Sequence, residues 1–278
     1  MTMPWPEAGQ PSEPEVPDPL VARLRAAGCV FAEEEARLLL EAADDDATRL
    51  EALVQRRVGG EPLEYVVGWA EFGGLRISVA PGVFVPRRRS VLLAREAATL
   101  AGTTTDRTAV VVDLCCGSGA VGALVAHAVP GIELYAADID PAAVEVASVN
   151  IAPYAGHAFV GDLFDPLPAS IKGRVDVVAA NAPYVPSEAI ALMPPEARDY
   201  EPLIALDGGE DGLAIQRRVA EAAVPWLAPG GALLIETSKQ QASTTAALLK
   251  EAGLRTRIVR DPEIGGTVVI GQTMKGAP

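Results

Sequence analysis

"VVVDLCCGSGAVGALVA", residues 110–126, decides the fold. A β-branched run ends in an acid, a glycine-rich turn follows, and a helical apolar stretch begins at Ala120, so a buried strand passes into a helix through a loop that brings backbone close to a ligand. Gly117, Gly119 and Gly122 satisfy the spacing of a dinucleotide fingerprint, a spacing that also occurs in ordinary turns. Asp113 is more informative. It sits at the strand end, four residues before Gly117, where a carboxylate accepts from an ammonium or an ordered water and repels a pyrophosphate. A cationic cofactor that carries an amino acid, S-adenosylmethionine, suits that acid better than NAD does; a dinucleotide and a bare structural turn are the alternatives.

Downstream the same alternation continues. "AVVVDLC", "IELYAAD", "HAFV", "VDVVAAN", "GALLIETS", "LRTRIVRD" and "GTVVIGQ" are seven candidate strands, with helices expected from Ala120, over Pro141 to Asn150, near Gly212 to Leu227 and over Gln241 to Ala252. Only "PEIGG" separates the last two strands, too short for a parallel crossover and suited to an antiparallel hairpin. The spacing predicts a doubly wound, Rossmann-like α/β domain over residues 91–278, with a seven-stranded sheet and that hairpin at one end.

Upstream, residues 19–60 read as a small helical domain in which Leu20, Val21, Leu24 and Ala27 share a face, Gly28 and Gly59 act as stops, and "EEEARLLLEAADDD" is a solvated face with its terminus. Residues 61–90 read as strand-like, with a turn at Gly73 and Gly74, and predict a β-hairpin linking the two domains; Trp69 and Phe72 are packing residues. Residues 1–18 are acidic and proline-rich where a signal peptide would be basic and then apolar, so a disordered tail on a cytoplasmic protein is expected. At 278 residues and 49% hydrophobic composition the chain has ample core-forming material, and no uncharged run is long enough to cross a bilayer. Cys29, Cys115 and Cys116, with only two histidines beside them, argue against a metal site or a disulfide framework. The formal charge of -14 opposes the long-range attraction on which nucleic-acid binders rely.

The remaining candidate site residues fall at the carboxyl tips of the expected strands, where open α/β sheets bind ligands. Asp138 is placed to accept from both ribose hydroxyls; Asp140, just before Pro141, reads equally well as a helix cap. Asp162 is placed to accept from an adenine amino group while Leu163 packs on the ring. In "NAPY", residues 181–184, Asn181 can both accept and donate, Pro183 stiffens the backbone, and Tyr184 offers a flat face with a polar rim. These features suit a planar NH2 group held beside an electrophilic methyl, with positioning rather than a general base as the catalytic device.

"DLCCGSGAVG", "ADIDPAA", "GDLF", "NAPYVP", "EPLIALDGGEDGL" and "GGALLIETSKQQ", with "EPLEYVVGWAEFGGLRISVAPGVFVPR" upstream, resemble the HemK/PrmC family of protein N5-glutamine methyltransferases, in particular a PrmC-related branch; the resemblance spans about Leu20 to Gln272. It implies a class I S-adenosylmethionine-dependent methyltransferase fold and a helical domain that helps dock a peptide-chain release factor. The side-chain amide of the glutamine in that factor's Gly-Gly-Gln loop is the implied acceptor. It also implies cofactor contacts from Asp113, Gly117, Gly119, Asp138 and Asp162, and an acceptor site built on Asn181, Pro183 and Tyr184, which match three positions of an Asn-Pro-Pro-Tyr motif.

Two stretches depart from the family pattern. Ala182 stands where the first proline of that motif belongs, and "RRRSVLL" follows Pro86 where the family reads Arg-Pro-Glu-Thr-Glu. Arg87 is kept, Arg88 and Arg89 replace a proline and an acid, and Ser90 replaces the threonine. Three consecutive arginines suit an acidic partner or a phosphate, so an amino-methyltransferase acting on a small molecule or on an exocyclic amino group of a nucleic-acid base is the alternative.

Overall fold

The computed structural model describes residues 17–274, which divide into two compact units, one ending at Val67 and the other beginning at Gly68. The tail expected over residues 1–18 lies outside the described residues except for Pro17 and Asp18, and Asp18 already opens the first helix.

The first unit holds α1 (Asp18–Ala26), α2 (Ala32–Ala43), α3 (Ala47–Val58) and α4 (Leu63–Val67). Leu20, Val21 and Leu24 of α1 are buried as expected, but Ala27 is exposed. The helix stops one residue earlier because Gly28 turns the chain with a left-handed φ of 94°; Cys29 N then donates to Leu24 O at 3.0 Å, and the buried Cys29 takes the place meant for Ala27. The acidic start of α2 is not wholly a solvated face. Glu35 is buried and receives a two-point ion pair from the buried Arg57 of α3, Nε to Oε2 at 2.6 Å and Nη2 to Oε1 at 3.2 Å. Residues 63–67, read as part of a strand, form α4 instead, since the Pro62 carbonyl accepts from both Tyr65 N and Val66 N and starts a helical turn that buries both side chains.

The second unit begins with the hairpin β1 (Trp69–Phe72) and β2 (Leu75–Ser78), closed by Gly73 and Gly74, both at positive φ as a two-residue turn requires. It continues through α5 (Val91–Ala101), β3 (Val110–Leu114), α6 (Ala120–Ala128), β4 (Glu133–Asp138), α7 (Pro141–Ile151), β5 (His157–Val160) and β6 (Val175–Ala180). After these come α8 (Pro195–Tyr200), α9 (Ala214–Ala223), β7 (Leu227–Glu236), α10 (Ala242–Glu251), β8 (Arg255–Asp261) and β9 (Gly266–Gln272).

All seven expected strands form one sheet in the order β5-β4-β3-β6-β7-β9-β8, parallel except for β9, which runs antiparallel to both neighbours. The alternation of side chains along each strand feeds two cores. Val111, Val177, Leu234 and Val268 pack with α5, α6 and α7, while Val110, Val112, Leu233 and Ile235 pack with α9 and α10 on the other face. Helix α5 is absent from the sequence reading although it buries Val91, Leu92, Leu93, Ala94, Ala97 and Ala101. At the sheet's centre Asp113 of β3 lies beside Ala179 of β6, so the tips of β3, β4 and β6 meet at the point where strand order reverses.

Candidate active site

A cleft of about 240 Å³ opens at those tips. Asp113, Gly117, Asp138, Asp162, Leu163, Asn181 and Pro183 all line it, so seven of the residues singled out from sequence converge on one cavity. Gly119 and Tyr184 do not line it.

Asp113 is buried with one oxygen committed: Oδ2 accepts from Gly122 N at the start of α6 at 2.8 Å, while Oδ1 has no partner. Burial pushes its pKa up to about 8, the nearby Asp138 charge adds to the rise, and the Gly122 N–H opposes it. An unpartnered buried carboxylate oxygen in a cleft wall is what an ammonium group requires, so the residues present fit S-adenosylmethionine. Asp138 organises the loop around that position. Its Oδ2 accepts from Gly117 N at 2.8 Å and its Oδ1 from Asp140 N at 3.0 Å, and burial raises its pKa despite both bonds. Each oxygen keeps a second lone pair for a ribose hydroxyl. Asp140 caps α7, accepting from Ala142 N at 2.9 Å.

Gly119 acts on packing. A β-carbon there would lie 3.0 Å from Ala147 Cβ, so its absent side chain makes room for α7 rather than for a ligand. Asp162 meets a partner that the sequence reading did not foresee, Arg218 of α9, whose Nη2 donates to Oδ2 at 2.5 Å at the edge of the cleft. Burial pushes the Cys115 and Cys116 thiols up, which leaves neither poised as a thiolate nucleophile.

On the acceptor side Asn181 Nδ2 donates to Ser90 Oγ at 3.3 Å, and the buried Ser90 also lines the cleft. Tyr184 is held behind this wall: Arg89 Nε donates to its hydroxyl at 2.9 Å, and the hydroxyl donates to Glu236 Oε1 at 3.3 Å. Burial pushes the phenol up to about 12, the Glu236 charge adding to the shift and Arg89 opposing it. Two arginines of the run are thus paired with buried acids. Arg89 pairs with Glu236 at 3.2 Å and Arg87 with Glu201 at 2.5 Å, while Arg88 is exposed. Glu201 also accepts from Val85 N at 3.1 Å, which ties the segment before the arginines to the one leading into Pro202 and Ile204 at the cleft.

The loop that follows Tyr184 is stapled in place. Gly208 N donates to Val185 O at 2.9 Å, and Gln241 Nε2 donates to Tyr184 O at 3.0 Å. A β-carbon at Gly208 would lie 2.8 Å from Pro183 O, so "LDGGEDGL" shapes the acceptor loop, and Gln241 has a structural duty there. The sequence reading missed Phe84, Ile139, Ser90 and Arg218 as cleft residues and Glu236 behind them. For Ile139 a signal existed, an apolar residue between two acids at a strand tip; for Glu236 there was none beyond its place at the end of β7.

The methyltransferase small domain family matches residues 75–193. A release factor glutamine methyltransferase of Gloeobacter violaceus is 39% identical over 214 residues, 75% of this chain and 73% of the relative. A 4-amino-L-phenylalanine/4-methylamino-L-phenylalanine methyltransferase of Streptomyces pristinaespiralis is 36% identical over 206 residues, 72% of this chain and 69% of the relative. Among solved structures, a T. thermophilus 16S rRNA N2 G1207 methyltransferase in complex with AdoMet and guanosine superposes with a TM-score of 0.53 at 20% identity, covering 74% of this chain and 49% of that one, a likeness of fold. Relatives this similar over more than two thirds of their length show the family, and the chain belongs to the HemK/PrmC release factor glutamine methyltransferases, S-adenosylmethionine-dependent enzymes of the class I methyltransferase fold.

Proposed function

We propose that this enzyme transfers a methyl group to the side-chain amide nitrogen of a protein glutamine, in the Gly-Gly-Gln loop of a peptide-chain release factor in the cytoplasm. The observation that carries the reading is the sharing of one cleft by Asn181 and Pro183 with the unpartnered buried oxygen of Asp113. S-adenosylmethionine supplies the electrophilic methyl; Asp113 would hold its ammonium and Asp138 its ribose.

An amide nitrogen is a weak nucleophile because its lone pair is delocalised into the carbonyl, so the protein's task is to orient it and exclude competing geometries. Asn181 supports this. With Nδ2 committed to Ser90, its Oδ1 is the acceptor offered to a substrate NH2 group. The proton leaves after alkylation, so no general base is required of the side chains around Asn181. The helical unit ending at Val67 is proposed to help dock the release factor.

A second reading is favoured by the resemblance to the Streptomyces pristinaespiralis enzyme, whose name gives an aromatic amine as its substrate. A small-molecule amine is the alternative acceptor, and the same Asn181 carboxamide would orient it. Nucleic acid is disfavoured by the charge of -14 and by the inward ion pairs of Arg87 and Arg89. Labelled cofactor offered separately with a release factor and with 4-amino-L-phenylalanine separates the readings: label on the factor's glutamine supports the first, and label on the amine alone overturns it.

A further inference from the structure

Three residues beyond Asn181, the acceptor segment is gripped at both ends of Tyr184. The Tyr184 hydroxyl lies between Arg89 and Glu236, and its carbonyl accepts from Gln241 Nε2 at 3.0 Å. Gln241 stands immediately before α10, 57 positions away in sequence, at the place where a helix is ordinarily capped by its own side chain. It makes no such cap. The same Nε2 instead donates to Asp211 O at 3.2 Å, in the glycine-rich loop 206–213, while Oε1 accepts from Ser238 Oγ at 2.7 Å.

The flip of this carboxamide follows from its partners. A backbone carbonyl only accepts, so two carbonyls at one end of Gln241 require its NH2 group there, and both protons of that group are then used. Ser238 agrees: its oxygen already accepts from Gln241 N at 3.2 Å, which leaves its single proton for Oε1. Among the described residues the Tyr184 carbonyl has no other donor. Gly212 closes the arrangement, since a β-carbon there would lie 2.5 Å from Gln241 Nε2 and nearer still to Tyr184 O. Between Tyr184 and Asn181 there is little slack, because Ala182 is fully buried and Pro183 has a fixed φ.

We propose that Gln241 is a positioning residue for methyl transfer: its carboxamide ties the Tyr184 carbonyl to the glycine-rich loop and so holds Asn181, three residues upstream, at its place in the cleft wall. The inference rests on the reading of Asn181 as the acceptor-orienting group. Gln241→Met keeps the length of the side chain and removes both donated bonds. Gln241→Glu keeps the shape but turns a carboxylate toward two carbonyls, so it repels what glutamine holds.

The test measures transfer from labelled cofactor by the full chain to a release factor and, in a second arm, to 4-amino-L-phenylalanine, for wild type, Gln241→Met and Gln241→Glu. S-adenosylhomocysteine affinity and thermal melting are measured alongside. Gln241→Met is expected to lower kcat by about 10-fold and Gln241→Glu by about 100-fold, while KM for the acceptor and affinity for S-adenosylhomocysteine stay within about 3-fold. If Gln241→Glu does not fold, Gln241→Met carries the test, since it adds no charge. A lowered melting temperature with wild-type kcat, or equal losses in kcat and in S-adenosylhomocysteine affinity, overturns the inference and leaves the functional reading standing. A wild-type enzyme that labels only the amine removes the glutamine reading and leaves this inference to be read in that arm; one that labels neither acceptor removes both.

Discussion

Asn181, at the tip of β6, donates to Ser90 at the start of α5 across 91 positions of sequence. The bond joins the acceptor loop to the end of the arginine run, and it restrains the carboxamide. Asn181→Ala is therefore expected to leave S-adenosylhomocysteine affinity nearly unchanged and to slow transfer by about 100-fold, because the lost contact acts on orientation at the transition state. Single-turnover rates beside a calorimetric titration check this; a wild-type rate would contradict it.

Asp138 does two jobs, holding Gly117 N and Asp140 N while facing the cleft. Asp138→Ala should weaken S-adenosylhomocysteine binding by about 1 to 3 kcal/mol, the scale of charge-assisted hydrogen bonds lost from a mostly buried site. Isothermal titration reads the change directly, and unchanged affinity would remove Asp138 from the cofactor site.

Asp113 makes cofactor binding proton-linked. Burial lifts its folded pKa to about 8, above the unfolded value, so the neutral form dominates at neutral pH and the folded ligand-free protein loses stability as pH rises from the unfolded pKa through the folded one. An arriving ammonium favours the ionised form. Titrations at pH 7 in buffers of different ionisation enthalpy should show release of up to about one proton on binding of S-adenosylhomocysteine, shrinking toward zero near about pH 10. Asp113→Asn should abolish that release; proton-independent binding by the wild type would contradict the assignment.

In the helical unit, Glu35 and Arg57 are each 10% exposed and bonded at two points. Arg57→Met leaves a buried carboxylate without its main counter-charge, and the expected loss is about 3 kcal/mol or more. Replacing both residues by apolar ones of similar volume should recover much of it. Denaturant melts of the single and double variants decide, and a neutral single variant would show the pair to be solvated.

The fold was legible where its signals are local. The acid at Asp113, the glycines after it and the alternating strands each lie within a few residues of one another, and the sheet follows from them. All but the first of the failures have a different cause. "LEYVV" has the β-branched and aromatic content of a strand, yet the preceding Pro62 carbonyl caps it as a helix. Helix α5 follows directly on "RRRS", which reads as a charged segment until Arg87 and Arg89 find acids 114 and 147 positions away. Glu35 looked solvated because its partner lies 22 residues on, and Tyr184 looked like a cleft residue because nothing local reveals that Arg89 and Glu236 hold it behind the wall. What sequence order did not disclose was the pairing of distant charges.

Mass spectrometry of a release factor after incubation with the wild-type enzyme and S-adenosylmethionine, with Asn181→Ala run in parallel, decides whether the glutamine amide is the acceptor and Asn181 its orienting group. One added methyl is expected on the side-chain amide of the Gly-Gly-Gln glutamine, nearly absent with Asn181→Ala. An unmodified glutamine in the presence of wild-type enzyme that binds S-adenosylhomocysteine and methylates 4-amino-L-phenylalanine would contradict it.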